Sequence, residues 1–248
     1  MLSMIRLCTT VVSLLAFCIV QSEAASFLEN LFEDKPAAVA PAPAAPAQQS
    51  TATIASGLRE ALAIGTQNAV RNVGKTDGYF SNSIIKIMMP EKLRTIADTL
   101  SALGFKKEVD SLVLSMNRAA ENAAPKAESI FGDAIRQMSI DDARKILEGG
   151  NTAATDFFKA KTTTQLTEAF KPVISKSLDE VGGIRAYKNL LGRADAIPFL
   201  NKESLDIDSY VTNKALEGLF TIVAQEEKKI RTNPAARTTD LLRTVFGK

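Results

Sequence analysis

The side chains available for chemistry in this chain are carboxylates, lysines, arginines, amides and hydroxyls. The sequence contains no histidine, and its two cysteines, Cys8 and Cys18, both lie close to the N-terminus. The rest of the chain therefore lacks the groups for Ser-His-Asp or Cys-His catalysis and for zinc, haem or iron–sulfur sites. We expect no metal and no cofactor, and these exclusions favour a protein that is not an enzyme.

The first group that could form a binding site is Asn117, Arg118 and Glu121. Apolar residues around them recur at helical spacing, which places Asn117 at the edge of an apolar helix face. An unpaired buried amide costs about 1–3 kcal/mol, so Asn117 needs hydrogen-bond partners. The three side chains either join two helices in a structural network or form a polar cluster that binds a ligand or a partner.

The second group is Glu227 with Arg231, four residues later and in the favourable order for a helical ion pair. Glu227 falls on or beside the apolar stripe of a long helix. If it is buried, an arginine from elsewhere must pair with it, and we expect Arg118 or Arg237. A structural pair and a functional acid are the two interpretations.

A corner between two helices is predicted at residues 149–152, with the sequence Gly-Gly-Asn-Thr. A phosphate-binding loop would need a preceding strand and a lysine close behind the glycines, whereas a helix precedes here and Lys159 comes too late. Gly149 is expected to end one helix in the left-handed conformation, and Asn151 or Thr152 to cap the next. Asn151 and Thr152 also form a candidate anion site at that helix start.

Two carboxylate pairs are better explained by helix capping than by chemistry. Asp141 and Asp142 lie in a first helical turn, where they complement the helix dipole. Asp206 and Asp208 share one side of an extended segment, and Asp208 or Ser209 suits the N-cap of the long helix. Neither pair has the further oxygen ligands or the glycine of a calcium loop, so no metal site is predicted.

The apolar segment at residues 84–89, Ile-Ile-Lys-Ile-Met-Met, is the one plausible strand or buried extended segment. With Tyr79 and Phe80 nearby, it could instead line a groove for a lipid or a partner helix, since methionine is common in adaptable binding surfaces.

The rest of the chain after the N-terminal region shows helical periodicity throughout. We predict a single compact all-α domain of about nine or ten helices over residues 53–248. The absence of a clean internal repeat argues against a solenoid. The predicted helices cover residues 56–73, 90–103, 106–124, 126–138, 139–148, 153–161, 164–181, 184–191, 210–230 and 239–246.

Residues 1–24 are predicted to be a signal peptide. Arg6 precedes an apolar run, and Ser22 and Ala24 fit the small positions of a cleavage site after Ala24. An uncleaved N-terminal membrane anchor is the alternative. Residues 25–52 are rich in proline and alanine, which predicts an extended spacer. The expected location is the periplasm, with no membrane-spanning segment once the signal peptide is removed.

Several stretches in the same order resemble domain-of-unknown-function family 4197, a group of exported, helical bacterial proteins. They are SMNRAAENAAP, AIRQMSIDDARKILEGGNTAATDFF, DSYVTNKALEGLF, AQEEKKIRTNP and LLRTVFG. The resemblance runs over about residues 56–246 and implies a single helical domain behind an export signal. It implies no activity, substrate or catalytic residues.

The function favoured by these observations is non-catalytic: a helical cell-envelope domain that binds a protein partner or an apolar ligand. A net charge of +2 gives no indication of nucleic-acid binding. One alternative is a carboxylate-based hydrolase acting on an envelope polymer, since two carboxylates suffice for glycoside cleavage. Another is a structural scaffold carried on the spacer.

Overall fold

A computed structural model describes residues 51–194 and 206–233, and these residues confirm the all-α prediction: none of them forms a β-strand. They form eight α-helices: α1 (Thr51–Gly74), α2 (Glu91–Leu100), α3 (Lys106–Ala123), α4 (Ala127–Arg136), α5 (Ile140–Glu148), α6 (Ala153–Glu180), α7 (Gly183–Ala194) and α8 (Ile207–Thr232). The predicted total of nine or ten is not confirmed. The predicted helix at 239–246, the signal peptide and nearly all of the spacer lie outside the described residues.

Local sequence signals fix several helix ends. Ser139 and Asp142 form a capping box at the start of α5: the Ser139 hydroxyl accepts from the Asp142 N–H at 3.0 Å, and the Asp142 carboxylate accepts from the Ser139 N–H at 3.1 Å. Gly104, with φ of 95°, separates α2 from α3 as predicted, within a π-helical turn at Ser101–Phe105. Local chemistry therefore determines where these helices start and stop.

Other predicted helix starts were wrong by a few residues. The N-cap of α8 is Asp206, whose side chain accepts from the Ser209 N–H at 3.0 Å, rather than Asp208 or Ser209. Pro90 is the N-cap of α2 rather than its first residue. Two aspartates in one turn can each serve as a cap, and the sequence does not separate them.

The predicted break between residues 161 and 164 is wrong, because α6 runs from Ala153 to Glu180 without interruption and also includes Pro172. A proline inside a helix costs about 3 kcal/mol or more through its missing N–H and its ring. Pro172 lies on the exposed side of α6, while the opposite side buries one apolar stripe against α3, α4 and α8. Burial of each such side chain contributes roughly 1.5–3 kcal/mol, so the stripe outweighs the proline. Its residues are Phe158, Leu166, Phe170, Ile174 and Leu178.

The core is centred on α6. Phe131 of α4 lies 5.0 Å from Phe158 of α6 and 6.2 Å from Phe220 of α8, measured between ring centroids. On the α3 side, Ala119, Ala120 and Ala123 are fully buried, and α3 packs against α6. Small side chains of this kind allow helices to approach closely. None of the described helices combines the length and apolar character needed to cross a bilayer.

Candidate functional site

Asn117 fastens the apolar segment at residues 84–89 to α3. Its side chain is fully buried, its Oδ1 accepts from the Ile87 N–H at 2.9 Å, and its Nδ2 donates to the Ile87 carbonyl at 2.8 Å. Nδ2 also donates to the Val113 carbonyl at 2.7 Å within α3. The Asn117 amide thus makes the two backbone hydrogen bonds that Ile87 would make to a neighbouring strand in a sheet. Residues 84–89 form no β-strand, so the strand interpretation is wrong. The alternative of a buried segment holds only in part, since Ile85, Ile87 and Met89 are buried while Ile84 and Met88 are exposed.

Glu121 holds the turn that precedes this segment. Its carboxylate is 2% exposed, and Oε1 accepts from the backbone N–H groups of Tyr79 at 3.0 Å and Phe80 at 3.1 Å. Oε2 accepts from Arg118 at 2.6 Å, and Arg118 also donates to Asp77 at 2.7 Å. The hydrogen bond with Glu121 raises the pKa of Arg118 above its ordinary value. Paired and hydrogen-bonded in this way, the buried carboxylate fixes the turn to α3.

The same turn is held from the other side by α8. The Tyr79 hydroxyl donates to the Ala215 carbonyl at 2.6 Å, and the Tyr210 hydroxyl donates to the Met88 carbonyl at 3.0 Å. Gly218 lets the Tyr79 ring lie against the α8 backbone, since a Cβ at this position would stand 2.6 Å from the ring. Residues 75–90 are therefore clamped between α3 and α8.

Glu227 occupies the N-terminus of α6. Its Oε1 accepts from the Ala154 N–H at 3.0 Å, and its Oε2 accepts from the Thr155 N–H at 2.9 Å and the Thr155 hydroxyl at 2.8 Å. Arg231 donates to Oε1 at 3.0 Å and to the Ile146 carbonyl at 2.7 Å. The anion at this helix start is thus a carboxylate of the protein itself, placed where the backbone N–H groups and the helix dipole favour negative charge.

Of the two arginines predicted to pair with Glu227, Arg118 is wrong and Arg237 stays a prediction. Arg231, on the same helix, is the partner, whereas Arg118 belongs to the Glu121 group and Arg237 lies outside the described residues. Asn117, Arg118 and Glu121 on one hand, and Glu227 and Arg231 on the other, form two separate clusters. Each cluster joins a helix to a distant part of the backbone.

The corner at residues 149–152 differs from the prediction in two respects. Thr152 is the N-cap residue of α6, but its side chain makes no capping hydrogen bond because Glu227 takes that role. Gly149 is extended, with φ of −79° and ψ of 176°, and is not left-handed. Glycine is required at this position for steric reasons, because a Cβ would stand 2.6 Å from the Ala153 Cβ. Asn151 and Thr152 are exposed and line a groove of about 470 Å³ beside α8.

A larger groove of about 750 Å³ lies between α2, α3 and the clamped segment. Its apolar lining is Phe80, Met88, Met89, Ala97, Val109 and Val113, and its charged lining is Lys86, Arg94, Asp98, Lys106 and Asp110. The sequence predicted the side of the groove that carries Met88 and Met89, because residues 84–89 were a candidate groove lining. The opposite side, which includes Val109 and Val113 of α3, was not predicted, although the wide apolar face of α3 indicated that this helix packs against something.

Comparison with known proteins places the chain in a family without assigning a function. No curated protein and no solved structure matches it. The family model described as "Protein of unknown function (DUF4197)" matches residues 48–247, slightly more than the resemblance first indicated. The chain therefore belongs to the DUF4197 family of proteins of unknown function.

Proposed function

We propose that this domain is a non-catalytic binding protein of the cell envelope that takes up a ligand with a single apolar chain. The observation that supports this most is the groove between α2 and α3. Its volume of about 750 Å³ falls within the range of small-molecule sites, roughly 300–1,000 Å³. A fatty acid is the simplest ligand of this class.

The lining of the groove suits an apolar chain of variable shape. Met88 and Met89 supply flexible, polarisable side chains that adapt to different ligand contours. Val109 and Val113 present stiff aliphatic surface from α3. Each methylene group moved from water into such a lining contributes about 0.8 kcal/mol, so a chain of several carbons provides useful affinity.

Three of the charged side chains at this groove, Arg94, Lys106 and Asp110, belong to local ion pairs that a ligand's head group can rearrange. Arg94 pairs with Glu91 at 2.5 Å and Lys106 pairs with Asp110 at 2.7 Å, all of them well exposed. Exposed pairs of this kind contribute about 0–1 kcal/mol, so exchanging a carboxylate of the protein for one of the ligand costs little.

The predicted carboxylates do not support the alternative of a hydrolase. Glu121 and Glu227 are buried, and both oxygens of each accept hydrogen bonds from backbone N–H groups or from arginine. A general acid or base must reach the substrate with a free oxygen. The geometry of both clusters is that of a structural network.

The envelope location rests on the leader sequence at residues 1–24. N-terminal sequencing of the protein purified from its native envelope tests it, and a mature chain beginning at Ala25 is expected. A chain that retains its leader would support the anchored alternative instead.

Titration of the mature chain with a dansyl-labelled fatty acid tests ligand binding. We expect saturable fluorescence enhancement, and we expect Val113→Phe, which fills the groove, to weaken binding by about tenfold or more, equivalent to about 1.4 kcal/mol. Leu114→Phe is the matched control, because Leu114 is on the same helix but does not line the groove. Absence of saturable binding, or equal affinity of the two variants, would overturn the proposal.

A further inference from the structure

The clamped segment carries an outward ridge formed by Ile84, Lys86 and Met88. Ile84 is 66% exposed and Met88 is 56% exposed, while the alternate residues Ile85 and Ile87 are buried. Ile84 lies in a turn in which the Ile85 and Lys86 N–H groups donate to the Asn82 carbonyl, and the hydrogen bonds from Asn117 hold Ile87 on the buried side. The ridge therefore presents two large apolar side chains to solvent, with a lysine between them.

The exposure of the ridge is a fixed feature of the fold. Asn117 holds the backbone of Ile87 through two hydrogen bonds, Tyr210 holds the carbonyl of Met88, and the Lys86 N–H donates to the Asn82 carbonyl at 2.8 Å. A loose loop could turn its apolar side chains inward, but a segment tied at these points cannot. Apolar groups held outward in this way are typical of contact surfaces.

Lys86 differs from the basic residues around it in its charge environment. Its ammonium lies 4.0 Å from the centroid of the Phe80 ring and, within the described ranges, forms no ion pair. The neighbouring basic residues of the grooves each have a carboxylate within 2.7 Å, in the pairs Arg94–Glu91, Lys106–Asp110 and Lys214–Glu217. Among the described residues, the ridge thus offers a cation that has no acidic partner and lies between two apolar side chains.

The ridge also stands at the mouth of the proposed binding groove. Lys86 and Met88 line that groove on one side and a smaller one of about 290 Å³ beside α8 on the other. Whatever contacts the ridge is therefore adjacent to the point at which an apolar ligand enters.

We infer that the ridge docks on the surface of an anionic lipid bilayer, from which the groove takes its ligand. Ile84 and Met88 enter the boundary between head groups and acyl chains, and Lys86 meets a lipid phosphate. A lysine that has no ion pair within the described residues and is flanked by apolar side chains matches this layered chemistry. A lysine side chain keeps its charged end in water while its stem lies along apolar surface. The inference rests on the proposed function, because an apolar ligand is drawn from a membrane rather than from water.

Co-sedimentation of the mature chain with lipid vesicles tests the inference. We expect more protein bound to vesicles of phosphatidylglycerol and phosphatidylethanolamine than to vesicles of phosphatidylcholine alone. Ile84→Asp should reduce binding to the anionic vesicles by about tenfold, and Lys86→Gln by about fivefold. Ile140→Asp is the matched control, because Ile140 is 48% exposed at the start of α5, away from the ridge, and this variant should bind as the wild type does.

The outcomes separate this inference from the proposed function. Ile84 does not line the larger groove, so Ile84→Asp should bind the dansyl fatty acid normally while losing vesicle binding. Val113→Phe should lose affinity for the dansyl fatty acid while binding the anionic vesicles normally. If the wild type ignores anionic vesicles, or if Ile84→Asp and Ile140→Asp lose vesicle binding equally, the bilayer inference is wrong, whatever the fatty-acid titration shows.

Discussion

The carboxylate of Glu227 on α8 lies 2.9 Å from the backbone nitrogen of Thr155 in the first turn of α6. Seventy-two residues separate the two along the chain. The contact makes α8 the cap of α6, the longest described helix, and places a buried negative charge at the positive end of its dipole. The stability of the α6–α8 pairing should therefore depend on this charge.

Glu227→Gln should lower the free energy of unfolding by roughly 2–4 kcal/mol. The substitution keeps the shape but removes the charge-assisted hydrogen bonds that Glu227 accepts from the Ala154 and Thr155 N–H groups and from Arg231, whose side chain is 13% exposed. Urea denaturation followed by circular dichroism measures the change. Glu217→Gln removes the exposed pair with Lys214 and is the control, with an expected change within about 0.5 kcal/mol. Equal effects of the two substitutions would contradict this account.

Asn117→Ala should destabilise the fold by about 2–4 kcal/mol, because the N–H and carbonyl of Ile87 both lose their buried partner. Hydrogen exchange should show faster exchange of the Ile87 amide, with the amides of α6 less affected. Asn122→Ala serves as the comparison, since Asn122 is an exposed residue of the same helix whose side chain donates to the Ser177 hydroxyl rather than to the backbone of the clamped segment. A protected Ile87 amide in Asn117→Ala would show that the segment is held by other contacts.

Gly218→Ala should cost about 1–3 kcal/mol through overpacking, because the new methyl group would stand 2.6 Å from the Tyr79 ring and 3.2 Å from Ile85. The ring cannot move away without breaking its hydroxyl bond to α8. Thermal melting compares this variant with Gly150→Ala, where no atom lies within 4 Å of the new methyl group. The Gly150 variant should melt within a few degrees of the wild type.

Alkaline pH should destabilise the domain through Tyr79. Burial raises the pKa of this hydroxyl above its ordinary value of 10.0, and the charge of Glu121 raises it further. The neutral hydroxyl is therefore favoured in the folded state, so its contribution is fully present below pH 10 and is lost as the pH rises above that value. Denaturation is measured at a series of pH values from about 8 upwards. The free energy of unfolding should fall less steeply with pH in Tyr79→Phe than in the wild type. If the free energy of unfolding falls equally steeply with pH in both proteins, Tyr79 is not the cause of the alkaline destabilisation.

Local sequence chemistry was sufficient for much of the helical architecture. The capping box of Ser139 and Asp142 and the glycine stop at Gly104 depend on atoms within a few residues, so the sequence specifies them. Polar residues beside apolar stripes, such as Asn117 and Glu227, could also be identified as buried and in need of partners. The same reasoning could not say which partners they find.

Tertiary packing decided what the sequence left open. Asn117 binds a backbone group 30 residues away and Glu227 binds groups 72 and 73 residues away, and no local pattern encodes such a meeting. Packing also keeps α6 helical at Pro172, because burial of the apolar stripe contributes more free energy than the proline costs. The groove between α2 and α3 has the same origin. The sequence alone determined the helices and the residues that need burial, while their three-dimensional packing determined which of them form caps, clamps and a groove, since those depend on long-range contacts.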